Sequence, residues 1–451
     1  MLDAAGEEED GALLDRCRAS SRSFWPQRPI VYDLTRLFLG PLFRTPRGID
    51  RVEFMLARHF TEQRPDDFHG LLPTPWGMRL YDADRVAHGL TRLAALWAEN
   101  GKAEADPIWE NFVARLRDGV TSAQVKPTLG IGDQALRMVA LLRATGVALG
   151  RSAIRRAPAK AVYLNVGHYS LGWPFLLRWL SKRPDIRPVF MLHDSIPVEM
   201  PEYVSEKGAA IHAAMVASAA RLASGVIVST EYARQTITAA LAKAGRVDAP
   251  TFAWPLPLAE TFDESTQSDP RLAALPYFVA CGAIEPRKNH LFLLELWRHL
   301  CAEMKNPPHL LIIGSPAWGG EAILDHIQRC EVTRGRIHIL NGLSTAAMKT
   351  ALAGARALLA PSLAEGFGLP VIEAAHMGVP VIASNIAAHR EVAREGAILC
   401  DPMDGLAWLR HIRTLVERAA PRIPMAPACA RTEREAYFQA ISGFLDEIRS
   451  M

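Results

Sequence analysis

Short apolar runs alternate with helical patterns in two regions of this chain, and that alternation constrains the fold more than any other feature. The runs of the first region are rich in Val, Ile, Leu and aromatic residues: PIVYDL, AVYLNV, PVFMLH and GVIVS. Those of the second region are YFVACG, HLLIIG, IHILNG, RALLAPS and GVPVIAS. Each run has the length and composition of a buried strand, and helical patterns lie between them. Such strand–helix–strand repeats predict two α/β domains, each with a doubly wound parallel sheet.

The two regions also predict the domain boundaries. The first domain is expected at residues 1–258, with helical insertion material at about 79–156, and the second at 273–430. Residues 259–272 are polar and acidic and predict a linker, whereas residues 431–451 predict an amphipathic helix that packs back on the first domain. Ligands of doubly wound sheets bind beyond the carboxyl ends of the strands. We therefore expect a deep cleft between the domains, lined by polar residues at strand ends.

Composition and charge exclude several classes of protein. The net charge of +3 is too small to indicate nucleic-acid binding, and the acidic start MLDAAGEEEDGALL is not a secretory signal. The apolar runs are too short to span a bilayer, so the chain is expected to be cytoplasmic. One basic, apolar segment at 135–156 has two open interpretations. It is either a core-facing helix with a solvated basic side or a peripheral contact with the inner face of the cytoplasmic membrane.

Two glutamates with seven residues between them mark the most informative motif, AEGFGLPVIEAAHMGVPVIASN. Glu365 and Glu373 lie in an apolar, glycine-rich setting, where a buried carboxylate is costly without a partner. Gly366 and Gly368 allow a tight turn and close approach of a ligand, and a helix is expected to begin at Leu369. Its free N–H groups suit a phosphate. The motif predicts a polar ligand with hydroxyl and phosphate groups; the alternative is a capping carboxylate in an ordinary turn.

The longer stretch PSLAEGFGLPVIEAAHMGVPVIAS resembles the signature of retaining GT-B glycosyltransferases of the family-4 type. The resemblance implies two Rossmann-like domains that face a deep cleft. It also implies that Glu365 contacts the sugar of a nucleotide-sugar donor and that Glu373 binds the ribose hydroxyls. The backbone amides implied to face the sugar and the diphosphate are those of Gly366, Phe367, Gly368 and Leu369.

A basic pair follows the first strand of the second region, in CGAIEPRKNH. Arg287 and Lys288 are expected in a strand-to-helix loop that faces the cleft, where cations can neutralise a departing diphosphate. The alternative is an exposed basic turn before a helix capped by Asn289. The resemblance matches Lys288 to the family's lysine, whereas Ala283 stands where an arginine is usual. Arg287 would then replace that arginine.

Polar residues also follow strands of the first region. The run VFMLHDSIP puts His193 and Asp194 at a strand end, and LNVGHYS does the same for His168. A lone histidine is more often structural, but the resemblance implies that His193 lies near the sugar and the acceptor. Asp194 and His168 are candidates on the acceptor side.

Two further loops carry weaker candidates. The loop TPRGIDRVE resembles the glycine loop of the family, with the Gly48 backbone near the donor and Arg47 and Arg51 as anion contacts on the acceptor side. The motif ILNGLSTAAM is an ordinary helix N-terminus when taken alone. In the family this loop packs on the nucleobase, which implies donor contacts for Gly342, Leu343 and Ser344.

The resemblance implies transfer of a hexose, with retention, from a nucleotide-diphosphate sugar to a hydroxyl. The motifs HDSIPVEMPEYV and IEPRKNH resemble bacterial mannosyl- and rhamnosyltransferases of surface polysaccharide or lipopolysaccharide synthesis, which favours GDP-mannose and a glycan or lipid-linked glycan acceptor. A UDP-hexose or dTDP-rhamnose donor is an alternative. A non-catalytic nucleotide-sugar-binding regulator is another, as is an epimerase or a phosphorylase. No obligatory cofactor or metal is expected, since no Asp-x-Asp motif follows a strand.

Overall fold

The computed structural model describes residues 28–39, 46, 48–98, 103–118, 139, 143, 146, 150–394, 396–418, 422, 424 and 427–448. Within these residues the chain forms an eight-stranded sheet and a six-stranded sheet. Both are built on parallel strands with helices against their faces, as the alternating pattern predicts. Central strands such as Val162–Asn165 and His309–Ile313 are buried along their whole length, because helices cover both sides.

The first sheet has the strand order β4-β3-β2-β1-β5-β6-β7-β8. Its strands are β1 (Ile30–Asp33), β2 (Phe68–Thr74), β3 (Gly77–Asp82), β4 (Arg151–Ser152), β5 (Val162–Asn165), β6 (Arg187–Met191), β7 (Gly225–Val228) and β8 (Thr251–Ala253). Strand β3 runs antiparallel to both of its neighbours, β2 and β4, which the apolar pattern does not indicate. A two-residue hairpin turn causes this reversal, with Gly77 at a φ of +96° and Thr74 Oγ1 donating to the Gly77 carbonyl.

Helices of the first domain follow and separate these strands. The α-helices are α1 (Thr35–Leu39), α2 (Gly48–Gln63), α3 (Ala83–Ala98), α4 (Pro107–Asp118), α5 (Ala153–Arg156), α6 (Ile196–Glu199), α7 (Glu206–Leu222) and α8 (Glu231–Lys243). Short 3₁₀ turns lie at Ala103–Ala105, Tyr169–Gly172, Pro174–Lys182, Pro201–Tyr203, Glu260–Phe262 and Pro270–Leu272. The stretch LGWPFLLRWLSKR has the sequence pattern of an α-helix, but the structure forms two 3₁₀ segments there instead.

The second sheet is parallel throughout its described strands, in the order β11-β10-β9-β12-β13-β14. Its strands are β9 (Tyr277–Cys281), β10 (His309–Ile313), β11 (Ile337–Leu340), β12 (Leu358–Ala360), β13 (Val381–Ser384) and β14 (Ile398–Cys400). The helices are α9 (His290–Glu303), α10 (Glu321–Arg329), α11 (Thr345–Gly354), α12 (Leu369–His376), α13 (Ala387–Val392), α14 (Gly405–Glu417) and α15 (Pro427–Glu447), with a 3₁₀ turn at Pro286–Lys288.

Helix α15 returns to the first domain and begins at Pro427, before its expected start at residue 431. Phe444 stacks on Phe252 of β8 with 5.0 Å between ring centroids. Phe438 stacks on the ring of His59 in α2 at 4.0 Å. These contacts tie the end of the second domain to the first.

The insertion expected at about 79–156 begins inside β3 and ends in α5, and its described part includes α3 and α4. Helix α3 packs on α2, whereas α4 packs on β11 of the second domain. Most of the basic segment 135–156 lies outside the described residues, so its two interpretations stay open. No helix in the described part of the chain is long and apolar enough to cross a membrane.

Candidate active site

Glu365 lies at the centre of a buried ion cluster in the loop after β12. Lys288 Nζ donates to one carboxylate oxygen of Glu365, and Arg287 Nη1 donates to the other at 2.9 Å. Ser362 Oγ adds a hydrogen bond of 2.7 Å. Burial alone would raise the pKa of the Glu365 carboxyl, but the charges of Lys288 and Arg287 outweigh burial and hold the pKa below its usual range. Glu365 is therefore an ionised carboxylate at neutral pH, and it orders both cations.

The loop after β9 directs both cations toward Glu365. Gly282 has a φ of +144°, and a Cβ there would lie 3.1 Å from the Lys288 side chain. The next helix does not begin with a side-chain cap, because Asn289 is left-handed and its amide donates to the Pro402 carbonyl at 3.3 Å. The side chain of Lys288 is only 12% exposed. The alternative of an exposed turn capped by Asn289 is therefore wrong.

Gly366 brings the Glu365 loop against the first domain. A Cβ at Gly366 would lie 2.2 Å from the His193 carbonyl oxygen, so no larger residue fits without a shift of the backbone. Thr230 Oγ1, at the start of α8, donates to the Gly366 carbonyl at 3.0 Å. Gly368 has a φ of +104° and precedes the first residue of α12. The two domains therefore meet at this turn, next to the ion cluster.

Glu373, one turn further along α12, is paired with a residue of the first domain. Arg51 Nη1 of α2 donates to Glu373 Oε1 at 2.5 Å, and the side chains are 11% and 7% exposed. Burial raises the pKa of Glu373 although Arg51 acts against it. A Cβ at Gly48 would lie 2.4 Å from Leu369 Cδ1, so the N-termini of α2 and α12 adjoin. The sequence suggests neither contact, and Arg47 lies outside the described residues.

His193 and His168 form a second pair of polar side chains on the first-domain side of the cleft. His193 Nε2 lies 2.9 Å from the Val166 carbonyl oxygen, and the two imidazole centroids are 5.2 Å apart. Burial lowers the pKa of His193 to about 4 and that of His168 well below its ordinary value. Both rings are therefore neutral at pH 7. Asp194 follows directly, and its Oδ1 accepts the Ile196 N–H at 3.2 Å.

Asp106 is a residue of this region that the sequence analysis does not single out. Its buried carboxylate accepts the Ser344 N–H at 2.7 Å, across the domain interface. Ser344 also caps α11, because its Oγ accepts the Ala347 N–H at 3.2 Å. Gly342 precedes it with a φ of +79°, and Leu343 is buried. Asp106 thus positions the loop that the resemblance assigns to the nucleobase. In the sequence, the run DPIW indicates the start of a helix, but nothing local indicates the contact with Ser344.

Further contacts join α4 to the linker that leads into the second domain. Trp109 Nε1 donates to Asp269 Oδ2 at 2.9 Å, and both side chains are buried. Arg271 donates two hydrogen bonds, of 2.7 and 2.8 Å, to the Glu110 carboxylate. The insertion therefore contacts both the linker and β11, the edge strand of the second sheet.

The cluster borders a small cavity at the carboxyl ends of β9 and β12. Its lining includes Cys281, Lys288, Ser362, Glu365, Gly368 and His389. Among the residues that the structure describes, no group of three or more His, Cys, Asp or Glu side chains could hold a metal ion. A cavity lined by a buried cation, Lys288, and a buried carboxylate, Glu365, suits a ligand that carries both anionic and hydroxyl groups.

Solved structures with the same two-domain arrangement identify the fold. Anabaena Alr3699/HepE, in complex with UDP and glucose, superposes with a TM-score of 0.52 at 16% identity, over 94% of this chain and 97% of that chain. The Candida albicans trehalose-6-phosphate phosphatase N-terminal domain gives a TM-score of 0.51 at 14% identity, over 95% and 98%. The two facing α/β domains of this chain are a GT-B fold.

A family match covers the second domain. Residues 263–434, which contain Lys288, Glu365 and Glu373, match the family Glycosyl transferases group 1. This part of the chain is a glycosyl transferases group 1 domain. The match leaves the first domain outside its limits.

Curated relatives match shorter stretches of the chain. Serotype-specific mannosyltransferase WbdA of Escherichia coli is 35% identical over 126 residues, which are 28% of this chain and 15% of WbdA. O-antigen chain mannosyltransferase B of Escherichia coli is 33% identical over 142 residues, or 32% of this chain and 37% of the relative. The matches therefore span well under half the length of these relatives.

Proposed function

We propose that this chain is a retaining glycosyltransferase that moves a hexose, with mannose from GDP-mannose as the first choice. The acceptor is a hydroxyl of a glycan or glycolipid in bacterial surface polysaccharide synthesis. The observation that carries the proposal is the buried cluster of Glu365, Lys288 and Arg287 at the carboxyl ends of parallel strands. The choice of mannose rests on the names of the curated relatives and on the resemblance of the motifs.

The cluster suits departure of a nucleoside diphosphate. Negative charge develops on the diphosphate as its bond to the anomeric carbon breaks, and Lys288 and Arg287 lie where they would stabilise that charge. The N-terminus of α12, an eight-residue helix, adds backbone N–H groups with the same polarity. Glu365 accepts hydrogen bonds from the sugar hydroxyls and so orients the donor.

The acceptor binds on the first-domain side of the cleft, and its hydroxyl attacks the donor sugar from there. Its hydroxyl oxygen forms the new bond to the anomeric carbon on the face that the diphosphate leaves, which retains the configuration. The hydroxyl proton passes to the departing diphosphate oxygen. His193, neutral because burial lowers its pKa to about 4, provides a hydrogen bond rather than a charge near the sugar. Asp194 and His168 border the acceptor side.

A donor screen tests the proposal. Wild type is incubated with GDP-mannose, UDP-glucose, UDP-galactose and dTDP-rhamnose, and thermal shift and nucleotide release are measured with and without lipid-linked glycan acceptors. We expect GDP-mannose to give the largest effect and turnover to persist in EDTA. Glu365→Gln should abolish release, whereas Glu303→Gln, which removes a distant exposed carboxylate, should not.

Each other outcome of the screen points away from the proposal in a different direction. Release from a UDP-hexose or from dTDP-rhamnose alone would replace the donor. Tight binding with no release, even with acceptors, would indicate a nucleotide-sugar-binding regulator. A product whose anomeric configuration is inverted relative to the donor would exclude the retaining reaction. Failure to bind any donor would refute the proposed function.

A further inference from the structure

The cations of the cleft are neutralised by glutamates of the same chain. Lys288 and Arg287 pair with Glu365, and Arg51 pairs with Glu373. Each of these three cations is largely withdrawn from water, and so are both carboxylates. Arg287 also pairs with Glu285 at 2.7 Å, so three cations face three carboxylates. A nucleoside diphosphate adds at least two negative charges to this balanced set. Its binding must therefore rearrange the existing ion pairs or leave buried charges without a partner.

Arg51 is the cation best placed to change partner. It comes from α2 of the first domain, and its Nη1 makes the hydrogen bond to Glu373. Its Nε is buried and has no hydrogen-bond partner. A guanidinium has five N–H donors in a planar fork, a shape that matches a phosphate better than one carboxylate oxygen. Arg51 therefore has unused donors at the place where α2 meets α12.

Arg51 is also close to the predicted diphosphate position. A Cβ at Gly48, one turn earlier on α2, would lie 2.4 Å from Leu369 at the N-terminus of α12. Burial and the charge of Glu373 raise the pKa of the Cys281 thiol at the end of β9. The charges of Arg51 and Lys288 both act to lower it. Arg51 and Lys288 therefore approach the same strand end from opposite domains.

We propose that Arg51 leaves Glu373 for the diphosphate of the donor, so that the first domain supplies a third phosphate-binding cation across the cleft. The ribose hydroxyls then take its place at Glu373, because hydroxyl donors satisfy a carboxylate without a second charge. This inference rests on the proposed function and assigns Arg51 to the donor side, whereas the sequence analysis expects it on the acceptor side. Every buried charge keeps a partner in both arrangements.

Calorimetric titration of GDP and of guanosine tests the inference. Arg51→Gln should weaken GDP binding by about tenfold or more, the usual effect of losing a charge-assisted hydrogen bond. It should change guanosine binding by less than about threefold, because the nucleoside lacks the diphosphate. The matched control is Arg58→Gln on the same helix, which removes exposed ion pairs with Glu62 and with Glu260 of the linker. It should leave both affinities within about twofold of wild type.

Two further variants separate binding from folding. Arg51→Gln leaves Glu373 buried without its cation, so the double variant Arg51→Gln with Glu373→Gln is measured in parallel. It should unfold at a higher temperature than Arg51→Gln alone and still bind GDP weakly. Arg51→Lys keeps the charge but loses the fork, so its GDP affinity should lie between those of wild type and Arg51→Gln.

Several results would overturn the inference. Wild-type GDP affinity in Arg51→Gln would leave Arg51 a structural contact only. An equal loss of guanosine and GDP affinity would show that Arg51 supports binding of the nucleoside rather than of the diphosphate. If either result came with mannose transfer that depends on Glu365, only this inference would fail. If wild type bound no nucleotide, the proposed function would fail with it.

Discussion

Glu365→Gln removes one charge from the centre of the cleft, and its cost to folding can be worked from the structure. The change leaves Lys288 and Arg287 facing a neutral amide, with side-chain exposures of 12% and 21%. Removing one partner of a buried pair costs about 3–5 kcal/mol. Glutamine keeps an acceptor oxygen, and both cations retain some water contact, so we expect the lower end, about 3 kcal/mol. For a domain of this size that corresponds to a melting point lower by about 6–12 °C.

The assay is reversible urea and thermal unfolding of the full chain. The matched control is Glu303→Gln in the same domain, which removes an ion pair with Arg413 whose side chains are 48% and 38% exposed. Exposed pairs contribute about 0–1 kcal/mol. If Glu365→Gln unfolds within about 1 kcal/mol of Glu303→Gln, the cluster is not an electrostatically coupled buried site. A gain in stability would show that the cost of burying these charges exceeds their attraction, and it would refute the reasoning equally.

Three further predictions follow from contacts around the cleft. Gly366→Ala should lower transfer activity by at least about tenfold and stability by about 1–3 kcal/mol, because the new methyl would collide with the His193 carbonyl; kinetics and thermal unfolding measure both. Asp106→Ala should cost about 2–3 kcal/mol in urea unfolding, because it removes a helix cap and orphans the Ser344 N–H. Burial lowers the pKa of His309 to about 4, below the value of about 6.5 in unfolded chains. The unfolded chain therefore binds more protons between these values, so stability should fall as the pH drops from about 6.5 to 4, and His309→Gln should flatten that slope.

Controls and contrary outcomes accompany these predictions. Gly405→Ala adds a methyl at ordinary contact distance, 3.5 Å from Leu296, and should leave activity unchanged. Full activity in Gly366→Ala would show that the domains do not meet at that turn during turnover. Asp404→Ala removes a single exposed helix cap and should lower the free energy of unfolding by about 1 kcal/mol. If Asp106→Ala lowers it by the same amount, the contact of Asp106 with Ser344 contributes nothing to stability. Equal slopes in wild type and His309→Gln would exclude this histidine from the pH dependence.

The pairing of the Glu365 and Lys288 loops could be anticipated from sequence. Both loops follow strands of one parallel sheet, β12 and β9, and the carboxyl ends of neighbouring parallel strands lie together. The sequence also indicates the need for glycine, because Gly366 and Gly368 flank a turn before a helix. Local patterns therefore predict the features that depend on strand order and turn chemistry.

Contacts between domains could not be anticipated in this way. Arg51 and Glu373 are 322 residues apart, and Asp106 and Ser344 are 238 apart, so neither pair leaves a local signal. Each pairing depends on the angle at which the domains meet, which apolar periodicity does not encode. The sequence does not distinguish the 3₁₀ segments after β5 from an α-helix for a different reason: their period of three is close to the α-helical period.

A crystal structure of the chain with GDP-mannose tests the central claim most directly. The account predicts that the diphosphate lies within hydrogen-bonding distance, about 3 Å, of Lys288 Nζ, with the mannose hydroxyls on Glu365. A nucleotide bound away from this cluster, or a diphosphate facing Glu365 without either cation, would contradict it.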